Sequence, residues 1–151
     1  MVMAAIVTTI LTNMLSTIST TLGAGYQELR HVYDVTKNDI RTAKLAYGVR
    51  PLSALSSDPG MLRAYTVDQS FEIILSDTIT RGASDAERTT AIGTMFDKAD
   101  EIFKVLVNTK AGAASYVLVV NNPAMSEPEF LEDNQIVLLR MQVNIRYRST
   151  I

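Results

Sequence analysis

The 151-residue sequence contains no cysteine and one histidine. Without cysteine there is no disulfide framework, no thiolate nucleophile and no cysteine-ligated zinc site, a composition that fits folding in a reducing cytoplasm. The histidine, His31, has only scattered acids near it in sequence and makes no recognisable metal-ligand set. Serines abound, but no G-x-S-x-G elbow presents one as a nucleophile. Glycine is sparse, with seven residues. Gly23 and Gly25 lack both the full G-x-G-x-x-G pattern and a preceding strand, and no Walker lysine follows a glycine loop. These absences leave no catalytic, cofactor-binding or metal-ligating candidate, and the chain does not read as an enzyme.

An excess of either charge is missing too. The 14 Lys and Arg stand against 16 Asp and Glu, a net charge of −2, so no global basic field draws the protein to nucleic acid. Contact with DNA would have to come from a local patch or from symmetry-related copies. No charged side chain occurs before Glu28. That opening stretch lacks the basic flank of a signal peptide, and Thr, Ser and Asn interrupt its apolar residues, so neither a signal nor a membrane span is expected.

What is present reads as one globular domain, 1–151, with 47% hydrophobic and 20% charged residues. Ile6, Val7, Ile10, Leu11, Met14, Leu15, Ile18 and Leu22 recur at helical spacing and predict an amphipathic helix over 1–23 with a hydroxyl-rich back. An uncharged back is uncommon on a helix that faces water. It fits either a simple packed helix or one covered by a second protein surface. Strands and a loop are expected over 28–80: a strand from Glu28 to Thr36, a short strand or connector in KLAYGVRPL, an exposed loop in SALSSDPGMLR, and a long strand over 64–76. Ser84 and Glu87 form the S-x-x-E capping pattern of a helix over 84–110, with Gly112 as its stop. The apolar run SYVLVV suits a central strand covered on both faces. The region 114–150 then holds that strand, a long acidic loop over 121–134 and a closing strand. The order predicts an α+β fold, with a mostly antiparallel mixed sheet backed by the N-terminal helix and the long central helix, and a βαβ-like crossover through the latter.

The closing strand, IVLLRMQVNIRYRST, carries the sharpest pattern. Leu139, Met141, Val143, Ile145 and Tyr147 share one face; Arg140, Gln142, Asn144, Arg146 and Arg148 share the other. The earlier long strand has Asp68 and Glu72 on its polar face. If the two strands are neighbours, these rows pair across them. If not, Arg140, Arg146 and Arg148 face outward, and several copies of the chain would build a positive band. No aromatic residue interleaves with them, so only phosphate contact would follow. The acids Glu127, Glu129, Glu132 and Asp133 lack calcium-loop spacing and read as a solvated or partner-seeking loop.

The succession YTVDQSFEIILSD, SDAERTTAIGTMFDKADEIFKVLVNTK, YVLVVNN and QIVLLRMQVNIRYR resembles the small neck and tail-completion proteins of tailed bacteriophages, most of all tail terminators. The resemblance spans 64–148 and rests on element order and texture. It implies a structural virion protein of the tail or neck, assembled in the host cytoplasm, without cofactor. Its partners would be copies of itself in a ring, usually hexameric, together with tail-tube and neck proteins and non-specific contact with DNA passing the lumen. The loops 50–63 and 121–134 would then be arms toward neighbouring subunits, with the acidic loop meeting Arg140 or Arg146 of the next copy.

Overall fold

The computed structural model describes residues 2–29, 45–56, 64–79, 82–112, 117–131 and 136–150. Along them run α1 (Val2–Leu22), β1 (Tyr26–Glu28), β2 (Leu45–Ser56), β3 (Ala64–Thr78), α2 (Asp85–Thr109), a 3-10 turn (Lys110–Gly112), β4 (Val117–Met125), β5 (Glu129–Leu131) and β6 (Ile136–Thr150). The fold is α+β, as its element order predicts. One mixed sheet has the order β1-β2-β3-β6-β4, with β5 also paired to β6. Its pairings are antiparallel except for β1 with β2.

The alternation legible in the sequence becomes the two sides of this sheet. Strands β3 and β6 pair over their full 15 residues, from Ala64 opposite Thr150 to Thr78 opposite Ile136. Because side chains alternate, Val67, Phe71, Ile73 and Leu75 point to the same side as Leu139, Met141, Val143, Ile145 and Tyr147. All of these are buried in one core with Tyr47 and Val49 of β2. Both helices close it. Helix α1 contributes Ile10, Met14, Ile18 and Leu22, and α2 contributes Met95, Ala99, Ile102 and Leu106. Each set repeats every three or four residues, the period that keeps one helical face inward. Full burial of side chains of this size stabilises the fold by roughly 1.5–3 kcal/mol each.

The helix ends follow their local chemistry. Ser84 Oγ accepts from the Glu87 N–H at 3.2 Å, and Glu87 Oε2 accepts from the Ser84 N–H at 3.2 Å, the two halves of the capping box. Helix α1 stops at Gly23, whose φ of 88° is left-handed and whose N–H reaches the Ser19 carbonyl at 3.0 Å. At the far end of α2 two non-glycine residues, Lys110 and Ala111, hold left-handed φ values of 50° and 56°. The hydroxyl-rich back of α1 has a local explanation. Thr12 and Thr20 donate to the carbonyls of Thr8 and Ser16 at 2.9 and 3.0 Å, so those exposed hydroxyls need no second surface to satisfy them.

Five expectations need correction or limits. Strand β2 extends through Ser56, so much of the loop expected over 50–63 is strand. Its apparent loop composition marks a register shift between Pro51 and Ala54, where Gln69 Nε2 donates to the carbonyls of Leu52 and Ser53 at 3.0 and 3.4 Å. Strand β4 lies at the sheet edge and Val119 is exposed, so its apolar run is not a doubly covered centre. Register shifts at Val117/Val119 and Asn121/Ala124 put the run's parity out of step with a regular strand. The expected acidic loop is also largely strand, since Asn121–Met125 continue β4 and Glu129–Leu131 form β5. Pro123 is tolerated there because an edge strand need not donate its N–H. Of the strand expected from Glu28 to Thr36, only Glu28 and Leu29 fall within the described residues. The predicted crossover is present in split form: β3 and β4 are both antiparallel to β6, which lies between them.

Candidate functional site

The even-numbered residues of β3 and β6 point to the side of the sheet away from α1 and α2, and they divide it in two. One end is apolar, where Leu29, Ala46, Ile74, Ile136 and Leu138 form a second small buried cluster. The other end is polar, and there the arginine row meets the acidic row. Arg146 sits directly opposite Asp68 and makes two roughly parallel bonds, Nε to Oδ1 at 2.8 Å and Nη2 to Oδ2 at 3.2 Å. Between the charged groups Ser70 donates to Asn144 Oδ1 at 2.7 Å.

Arg140 lies opposite Ile74 and reaches sideways in both directions. Its Nη1 donates to Glu72 Oε1 at 3.0 Å, and its Nε to Glu129 Oε1 on β5 at 2.9 Å. Arg50 of β2, directly opposite Glu72, places Nη2 2.7 Å from the same Oε1. Alternating charges therefore cross the sheet from β2 through β3 and β6 to β5. The Glu72 side chain is 15% exposed and its two arginines 24% and 22%, against 38% for Asp68 and 47% for Arg146. The first pairing is half sheltered and the second is wet. Burial alone lowers the pKa of Arg140, but its bonds and charge contacts with Glu129 and Glu72 outweigh it and raise the guanidinium above its ordinary value. Arg146 is raised by its hydrogen bond and charge contact with Asp68. Neither arginine gives up its proton in any accessible range.

Arg148, opposite Thr66, is exposed and makes no ion pair among the described residues. Glu127 is exposed between β4 and β5. Glu129 meets Arg140 of its own chain. Glu132, Asp133 and His31 lie outside the described residues. An open depression of about 250 Å³, lined by Glu72, Ser126, Arg140 and Gln142 among others, flanks the half-sheltered network. Sequence reading missed Arg50 and Gln69. Arg50 follows the inward Tyr47 and Val49 at the alternate parity, a usable signal. Gln69 interrupts an otherwise apolar face of β3, and at 4% exposure a polar side chain there marks backbone groups in need of a donor.

The described residues include no helix long and apolar enough to cross a membrane. No family model matches the sequence, and no curated protein matches it either.

Proposed function

We propose that this chain is a structural protein of a tailed-phage virion, a tail terminator that forms a ring, caps the tail tube and docks it to the neck. The observation that carries the reading is the polar end of the sheet face away from the helices, where Arg50, Arg140 and Arg146 are paired within the subunit and Arg148 alone has no ion pair among the described residues. In a ring with helices outward and sheets inward, this face lines the channel. Free arginines on such a wall would each neutralise a phosphate and release counterions, gripping the passing DNA. Arginines occupied by Asp68, Glu72 and Glu129 leave the wall polar but nearly neutral, so DNA passes with little affinity.

The sheet edges fit a structure that closes. Strand β1 has three residues, and β4 carries two register shifts and Pro123. Beyond Tyr47 the β2 edge has no described neighbour but is broken by the register shift between Pro51 and Ala54, so neither described edge is a long unbroken template for strand-on-strand polymerisation, and growth through side-chain contacts ends when the ring closes. The test is light scattering coupled to size exclusion, with negative-stain imaging across concentration and magnesium, alone and with purified tail tubes. Closed rings are expected. Open stacks would instead favour a tube or other tail component. A dimer or monomer under every condition, or a saturable small ligand in the open depression, overturns the proposal.

A further inference from the structure

We infer that Arg146 and Arg148 form a contact for the phosphate backbone of nucleic acid, and that Asp68 holds Arg146 back from it as an internal competitor. This deepens the channel reading and rests on it only for where the DNA comes from. The two arginines are separated by one residue on β6, so they emerge on the same face about 6.7 Å apart at the strand rise of roughly 3.3–3.4 Å per residue. Both are exposed. Arg148 has no ion-pair partner among the described residues. Arg146 binds both carboxylate oxygens of Asp68, at 2.8 and 3.2 Å, through the fork of donors that also fits two phosphate oxygens. Asp68 thus occupies the place a phosphate would take.

The contrast with the neighbouring network decides which arginines are available. Arg140 and Arg50 share a carboxylate that is only 15% exposed, and Arg140 holds a second acid on β5. Displacing those acids would strand charges in a half-sheltered site. The Asp68–Arg146 pair is open to water on both sides, and exposed pairs of this kind are weak. Around it stand Ser70, Asn144 and Arg148, with no aromatic ring on these strands' polar face. The contact is therefore to backbone only and independent of base sequence. A flat strand carrying two arginines suits a charged polymer better than a globular partner, whose docking needs a larger apolar centre.

The experiment is fluorescence anisotropy of a labelled random-sequence DNA duplex, titrated at several salt concentrations. Wild type is expected to bind weakly. Asp68→Asn, which keeps shape and removes the competing charge, is expected to tighten binding about tenfold. It should also steepen the salt dependence by close to one phosphate, a slope change of about 0.9 in log K against log salt. Adding Arg146→Gln to Asp68→Asn should abolish the gain, and Arg148→Gln alone should remove the residual wild-type binding. Unchanged affinity and slope in Asp68→Asn with a wild-type circular dichroism spectrum overturns the inference. So does equal binding to polyglutamate, which would make the site a general anion surface. Rings without the gain defeat this inference alone; the gain without rings defeats the ring reading alone.

Discussion

Glu72 should matter far more to stability than Asp68, although each carboxylate faces an arginine on the same side of the same two strands. Glu72 Oε1 receives Arg50 at 2.7 Å and Arg140 at 3.0 Å, with all three side chains under a quarter exposed. A hydrogen bond to a charged group contributes about 1.5–3 kcal/mol when sheltered. Two such bonds, discounted by about half for the water that still reaches them, give roughly 1.5–3 kcal/mol for Glu72→Ala. The loss includes two like charges left facing each other across β3, with only Glu129 to answer Arg140. Glu72→Gln keeps an acceptor oxygen and should lose about half as much. Asp68→Ala removes a pair that water already surrounds and should leave the midpoint within experimental scatter.

Urea unfolding followed by far-ultraviolet circular dichroism measures this directly, with the m-value checking that the unfolded state is unchanged. Repeating it at 1 M salt adds a second discrimination. Screening at that ionic strength acts over about 3 Å and weakens exposed pairs, while the Glu72 deficit should persist. A Glu72→Ala loss under about 0.5 kcal/mol, or one that vanishes in salt, would refute the claim that this network braces the sheet.

Gln69→Leu should cost about 1–2 kcal/mol in the same assay, because the carbonyls of Leu52 and Ser53 lose their donor at the β2 register shift. Lys110→Gly should raise stability by about 1 kcal/mol, read as a higher melting temperature, since glycine adopts the left-handed φ of 50° without a Cβ clash. Burial, and then the nearby charges of Asp77 and Glu101, raise the Tyr26 phenol above its ordinary value. Its contribution is therefore fully present below about pH 10 and is lost as pH rises through the folded value. Urea midpoints at pH 9 and 11 should fall less for Tyr26→Phe than for wild type.

Local chemistry made parts of this fold legible. The Ser84–Glu87 box needs only residues three apart, and both of its hydrogen bonds form as the sequence predicts. The alternation of β3 and β6 was equally plain, because one face of each strand is apolar over most of its length, with Gln69 the buried exception on β3. Their adjacency was not. It depends on residues 78 apart in sequence, Asp68 and Arg146, and no short-range pattern fixes which strand lies next to which. Hence the arginine row had two readings until the register settled it. The edge strands misled for a different reason: a bulge shifts parity by one residue, and composition alone takes Pro123 and Ser53 for loop. For Arg50 the sequence offers only its outward parity after Tyr47 and Val49; its pairing with Glu72 comes wholly from the β2–β3 register.

The strand at the middle of the sheet, β6, is also the last of the described elements to be made. During synthesis β3 pairs with β2 but must wait for its second neighbour, encoded some 70 residues later, and β4 has no described neighbour in the sheet other than β6. Non-local pairing of this kind is slow, and it leaves Phe71, Ile73 and Leu75 uncovered along one flank in the meantime. A chain interrupted before Ile136 keeps β1, β2 and β3 as a partial sheet but has no β6 to join β4 and β5 to it. Such truncated copies are exposed to proteolysis and aggregation, so the order of synthesis itself screens out incomplete chains.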